Sequence, residues 1–145
     1  MTPRSLKVAM LAAATPYTSF SGSSVFPGGT IVPNLDLLIS VHPNDRAITK
    51  LGILGCERFG ASCLGARRED VCTLSRELQR TGRVTTVTGY DFRRDERAWG
   101  KEAKAHDFSV YLKQASQHSS FLRDFMAAGS PAPQTGREGG AIACS

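Results

Sequence analysis

At 145 residues the chain falls in the single-domain range, and 41% hydrophobic against 21% charged residues is the balance of a soluble globular domain rather than a disordered one. The 18 Lys and Arg against 13 Asp and Glu give a net charge of +5, and no stretch approaches the roughly 20 uninterrupted apolar residues of a membrane span. A transmembrane subunit is excluded on this reading, and a nucleic-acid footprint is weakened. Phosphate binding needs clustered, uncompensated cations, whereas Arg67-Arg68 is followed by Glu69-Asp70 and Arg93-Arg94 by Asp95-Glu96.

Residues 1 to 35 contain no Asp or Glu, carry Arg4 and Lys7, and include ten Ser, Thr and Tyr residues. This is the composition of an organellar import segment, with the short apolar run Lys7 to Ala14 inside it; an ordinary extended N-terminal arm reads equally well. The turn-rich stretch Ser21 to Pro33 has no helical period, and its Gly28-Gly29-Thr30 lacks the Lys and the spacing of a phosphate loop. Asn34 offers a cap to a short apolar segment, Leu35 to Val41, which ends at His42-Pro43 because proline disfavours helix at the residue before it. Residues 1–43 are therefore expected to form an extended N-terminal arm.

Asn44 is the next expected N-cap, with Asp45 suited to the positive end of a helix. Ala47, Ile48, Leu51, Leu54 and Phe59 recur at helical steps and predict one helix to about Cys63. Along it Gly52, Cys56 and Gly60 form a row of small residues that would let a neighbouring backbone approach closely. A second helix is predicted from Glu69, with acids at its start, Val71, Leu74 and Leu78 on one face, Arg76 and Arg80 late, and Gly82 just past its end. The two helices are expected to form a hairpin. Arg83 to Thr88 is rich in β-branched residues and predicts a strand that stops at Gly89. Phe108, Tyr111, Leu112, Ala115, Leu122, Phe125 and Met126 then predict a long amphipathic helix ending near Ala128, with Asp107 as a cap or a bend.

The expected fold is thus mainly α, with a helical hairpin, one long amphipathic helix, a short β segment and the N-terminal arm; the helical domain covers 44–128 and a mobile tail covers 129–145. The tail holds two prolines and four glycines.

The cysteines are the one feature whose spacing says more than packing. Cys56 and Cys63 lie seven residues apart on one predicted helix, roughly 10 Å along its axis and too far to bridge. In a hairpin that turns between Arg67 and Arg68, Cys63 and Cys72 are equidistant from the turn, so Cys63 to Cys72 is the expected disulfide if one forms; reduced core thiols are the competing reading. The coiled-coil-helix proteins of the mitochondrial intermembrane space carry paired cysteines on both helices of such a hairpin, and this chain has no such pairs. Zinc is disfavoured, since no two cysteines stand two to four residues apart and His42, His106 and His118 are remote. No cofactor, metal or catalytic residue is assigned.

These features predict a non-catalytic accessory or structural subunit of a large assembly, best matched to a mitochondrial respiratory-chain or ATP-synthase complex, peripheral to the membrane and held by other protein subunits. The alternatives are an RNA-associated organellar ribosomal protein, in which Arg67, Arg68, Arg93 and Arg94 would contact RNA or anionic lipid, a small thiol-dependent enzyme using Cys63 or Cys72, and a virion structural protein.

Overall fold

The computed structural model describes residues 6–11, 35–43, 45, 48, 63–80, 85–92, 108–128 and 140–144. Its centre is a parallel sheet of strands β1 (Leu6–Met10), β2 (Leu35–Val41) and β3 (Thr85–Asp91), in the spatial order β1-β2-β3. Leu35 is paired with Leu6 on one side and Thr85 on the other, and the register continues from Ile39 to Met10 and Gly89.

The expectation of a mainly α fold is therefore overturned. Leu35–Val41 is an apolar run with no clear period, and such a run is what a strand buried on both faces of a parallel sheet requires. Ile39 and Val41 pack on one face of the sheet while Leu38 packs on the other. Within the expected arm, Leu6–Met10 and Leu35–Val41 are strands β1 and β2 of the sheet.

Helix α1 (Arg68–Arg80) lies between β2 and β3 in the chain, as a parallel connection demands. Glu69 and Asp70 face its positive end and Arg80 its negative end. Val71, Leu74 and Leu78 are buried against Ile39 and Val41, each contributing roughly 1.5–3 kcal/mol of apolar burial. The predicted apolar face is the observed one and it packs on the sheet, while most of the expected first helix, 44–63, lies outside the described residues. Cys63 is not helical: Ala66 N–H donates to the Cys63 carbonyl in a turn, and His42 N–H donates to Gly65 O across 2.8 Å.

The opposite face is covered by α2 (Phe108–Lys113), a π-helical turn (Gln114–His118) and α3 (Phe121–Met126). The predicted single long helix is interrupted. The wider π turn shifts the angular phase of the residues after it, and Ser119 is extended at φ −143° and ψ 158°. As a result Tyr111, Ala115 and Phe121 are buried with Leu38, Tyr90 and Phe92, while Phe108, Leu112 and Met126 of the predicted stripe are 68%, 43% and 74% exposed.

The segment 140–144 returns to β3 and forms an antiparallel bridge, Tyr90 to Ala141. The expected mobile tail is, in this part, anchored to the sheet. No helix among the described residues is long and apolar enough to cross a membrane.

Candidate functional site

In a parallel sheet the carboxyl ends of the strands are where loops and helix termini leave polar groups able to meet a ligand. Here β2 runs out at Val41 into His42, and β3 at Asp91 into Phe92, whose N–H donates to Val41 O across 2.9 Å. Asp45 N–H returns to the His42 carbonyl across 3.1 Å and closes a tight turn. From the covering helix Tyr111 donates its phenolic hydrogen to Asp45 Oδ2 across 2.6 Å. The Tyr111 ring stands 6.0 Å from the His42 ring and 6.1 Å from Phe92. His42, Asp45 and Tyr111 are 1%, 0% and 1% exposed, so the cluster is sealed within the fold.

Burial pushes the His42 imidazole below its ordinary value, against the pull of Asp45, a backbone bond and Asp91 toward the charged form. Burial, then the bond to Asp45 and that carboxylate's charge, push Tyr111 well above its ordinary range. A neutral imidazole beside a carboxylate and a protonated phenol has the parts for proton transfer, but buried groups of this kind also serve to join elements.

A second buried pair lies on the same face of the sheet. Tyr90 O–H donates to Asp124 Oδ2 across 3.0 Å, and Arg123 Nε lies 3.3 Å from Asp124 Oδ1. Burial is again the first cause raising the Tyr90 phenol, followed by Asp124. At the end of α3, Lys7 of β1 donates its ammonium to the carbonyls of Asp124 and Ala127 at 3.0 and 2.6 Å, a cation placed on the negative helix end.

The cysteines do not form the expected pair. Cys72 is bonded to Cys144, with Cα atoms 5.3 Å apart and 72 positions between them. Cys63 is disulfide-bonded as well, but not to Cys72. The described residues give the reason: α1 packs on the sheet, and the returning segment 140–144 carries Cys144 to Cys72. Arg67 and Arg68 are exposed at the start of α1. Gly52, Cys56, Gly60, Arg93, Arg94 and His106 lie outside the described residues. No cluster of three or more metal-ligating side chains occurs among the described residues.

Sequence reasoning missed the association of His42, Asp45 and Tyr111. Asp45 looked like a helix-start acid and Tyr111 like a core residue, and no spacing links positions this far apart. The one local signal was His42 directly after an apolar run, the place where a parallel strand delivers its first polar side chain.

The fold and the cluster define a disulfide-stapled parallel α/β domain whose two buried tyrosines are each bonded to a buried aspartate. Compared with known proteins, the chain matches no family model, no curated sequence and no solved structure.

Proposed function

We propose that this chain is a non-catalytic accessory subunit of a large protein assembly, peripheral to a mitochondrial respiratory-chain or ATP-synthase complex and on the oxidising side of its membrane. The observation that carries the reading is the pair Phe108 and Leu112. They are one helical turn apart on α2, on a shared face, and both are exposed, whereas Tyr111 of the same helix is committed to the core. An aromatic and a leucine exposed together on one helix face suit burial against another protein.

Two further observations support it. Cys72 and Cys63 are each disulfide-bonded, which favours a structural role for them over that of a thiolate nucleophile. Disulfides also persist in oxidising compartments, which favours the oxidising face of such a complex. Arg67 and Arg68, both exposed, keep an RNA-bound ribosomal role as the competing reading.

The test is the size at which the tagged full chain migrates in a native extract. Co-migration with a large assembly, lost in Phe108→Asp with Leu112→Asp while the purified variant keeps its circular dichroism, supports the proposal. A free monomer in the extract overturns it. Release of the assembly by ribonuclease transfers the chain to the ribosomal reading.

A further inference from the structure

The 140–144 segment lies as a strap along the outer side of β3. Ile142 N–H donates to Gly89 O across 2.8 Å, and Asp91 N–H donates to Gly140 O across 3.4 Å. Ala141 joins the buried cluster of Tyr90 on one face, while Ile142 joins that of Val71 and Ile39 on the other. Gly89 leaves room for this seat: a Cβ there would stand 3.0 Å from both Ile142 Cδ1 and Val71 Cγ1. Beyond these contacts the strap is held by the Cys144 sulfur, bonded to a half-buried Cys72 on α1.

We propose that the Cys72–Cys144 bridge is a redox latch, whose reduction frees the 140–144 strap and uncovers the outer edge of β3. The contacts divide in a way that makes local release the response. Helix α1 is held by Val71, Leu74 and Leu78 against Ile39 and Val41 of β2, contacts that do not pass through the bridge. Among the described residues the strap has one short and one long backbone bond and two buried apolar side chains, and the sequence of 129–139, with two prolines and three glycines, joins it to the rest of the chain. Removing the covalent tie lowers the effective concentration of the strap at its seat.

The reductant is a dithiol. Its first thiolate attacks the sulfur of the exposed Cys144, the Cys72 sulfur leaves as a thiolate and takes up a proton, and a mixed disulfide forms. The second thiol of the reductant, as its thiolate, then displaces the Cys144 sulfur, which is protonated in turn. Two electrons pass to the protein; the dithiol ends as a disulfide and Cys72 and Cys144 end as thiols. The uncovered edge of β3 then offers backbone groups to an extended segment.

Amide hydrogen exchange on the full chain tests the latch, comparing the oxidised protein with Cys72→Ser plus Cys144→Ser, which leaves the Cys63 bridge in place. The amides of Ile142 and Asp91 should lose protection by about tenfold or more beyond any change in the β2 amides, because they open locally. Equal loss at the strap and at β2 overturns the latch and makes the bridge a staple of the whole fold, as does a double variant that fails to fold. Retained protection at Ile142 and Asp91 overturns it in the other direction, showing that the strap stays seated without the bond. Wild-type protein opened with a dithiol and alkylated at the freed thiols provides the same comparison without substitution when mass mapping shows Cys72 and Cys144 alkylated and Cys63 still bridged.

Discussion

Tyr111 reaches Asp45 across 66 positions of sequence, donating its phenolic hydrogen to a carboxylate that has no solvent exposure. The bond joins α2 to the turn beyond the central strand, and so ties one covering layer to the carboxyl edge of the sheet. Tyr111→Phe keeps the ring and removes the donor, leaving Asp45 with an acceptor lone pair unfilled. A loss of about 1–3 kcal/mol in urea unfolding is expected. An unchanged midpoint would show that Asp45 replaces the bond from its other neighbours.

His42 provides a pH dependence with a defined sign. Its folded-state pKa lies below the ordinary 6.5, chiefly through burial, so below that value the unfolded chain binds more protons than the native one. The stability contributed by neutral His42 is therefore present above pH 6.5, is lost as pH falls through that value, and stops changing once the native imidazole is also charged. The slope cannot exceed about 1.4 kcal/mol per pH unit. Urea midpoints taken from about pH 8 to about pH 5 should fall in wild type and fall less in His42→Gln.

Tyr90 and Tyr111 act at the other end of the scale. Both phenols are raised above the ordinary 10.0, first by burial and then by their carboxylate partners. Stability from the protonated phenols is present below that value and lost as pH rises above it. Phenolate absorbance should therefore show these two tyrosines ionising only together with alkaline unfolding. Ionisation ahead of the loss of circular dichroism would contradict their burial.

Lys7 holds the end of α3 from the first strand. Lys7→Met preserves the apolar stem and removes the ammonium from the carbonyls of Asp124 and Ala127. The expected cost is about 0.5–2 kcal/mol, reduced by added salt only weakly because the contact is half-buried. Lys7→Arg should recover part of it, and denaturant midpoints of the three proteins settle the order.

At Gly89 strand β3 lies close to both α1 and the strap. A methyl group there must push aside Ile142 Cδ1 and Val71 Cγ1, both 3.0 Å away. Gly89→Ala should cost about 1–3 kcal/mol by overpacking. Gly89→Ala combined with Ile142→Val should cost less than the sum of the two, a coupling that a double-mutant cycle measures.

Local chemistry made part of the fold legible. The acids before Val71, the Val71, Leu74 and Leu78 face and the late arginines describe α1 as it stands, because a helix end and a helix face are properties of a dozen neighbouring residues. The β-branched run before Gly89 identified a strand, although β3 continues through Gly89 and Tyr90 to Asp91. The extent of Leu35–Val41 was visible from Asn34 and His42-Pro43, but its type was not, since a run buried on two faces has no period to report. The candidate cluster was less legible still, for His42, Asp45 and Tyr111 carry no shared spacing.

Sequence by itself determined where α1 and β3 form, which side of α1 is apolar and how its charges are ordered, since each depends on residues within one or two turns. Tertiary structure alone decided that Leu35–Val41 is the centre of a sheet, that the long apolar stripe breaks at Gln114–His118 and Ser119, and that Cys72 meets Cys144 instead of Cys63. The physical reason is common to all three. Burial on two faces, the phase of a helix against its neighbour and the approach of two sulfurs are set by which distant segments return to the same place, and adjacent residues carry no record of that return.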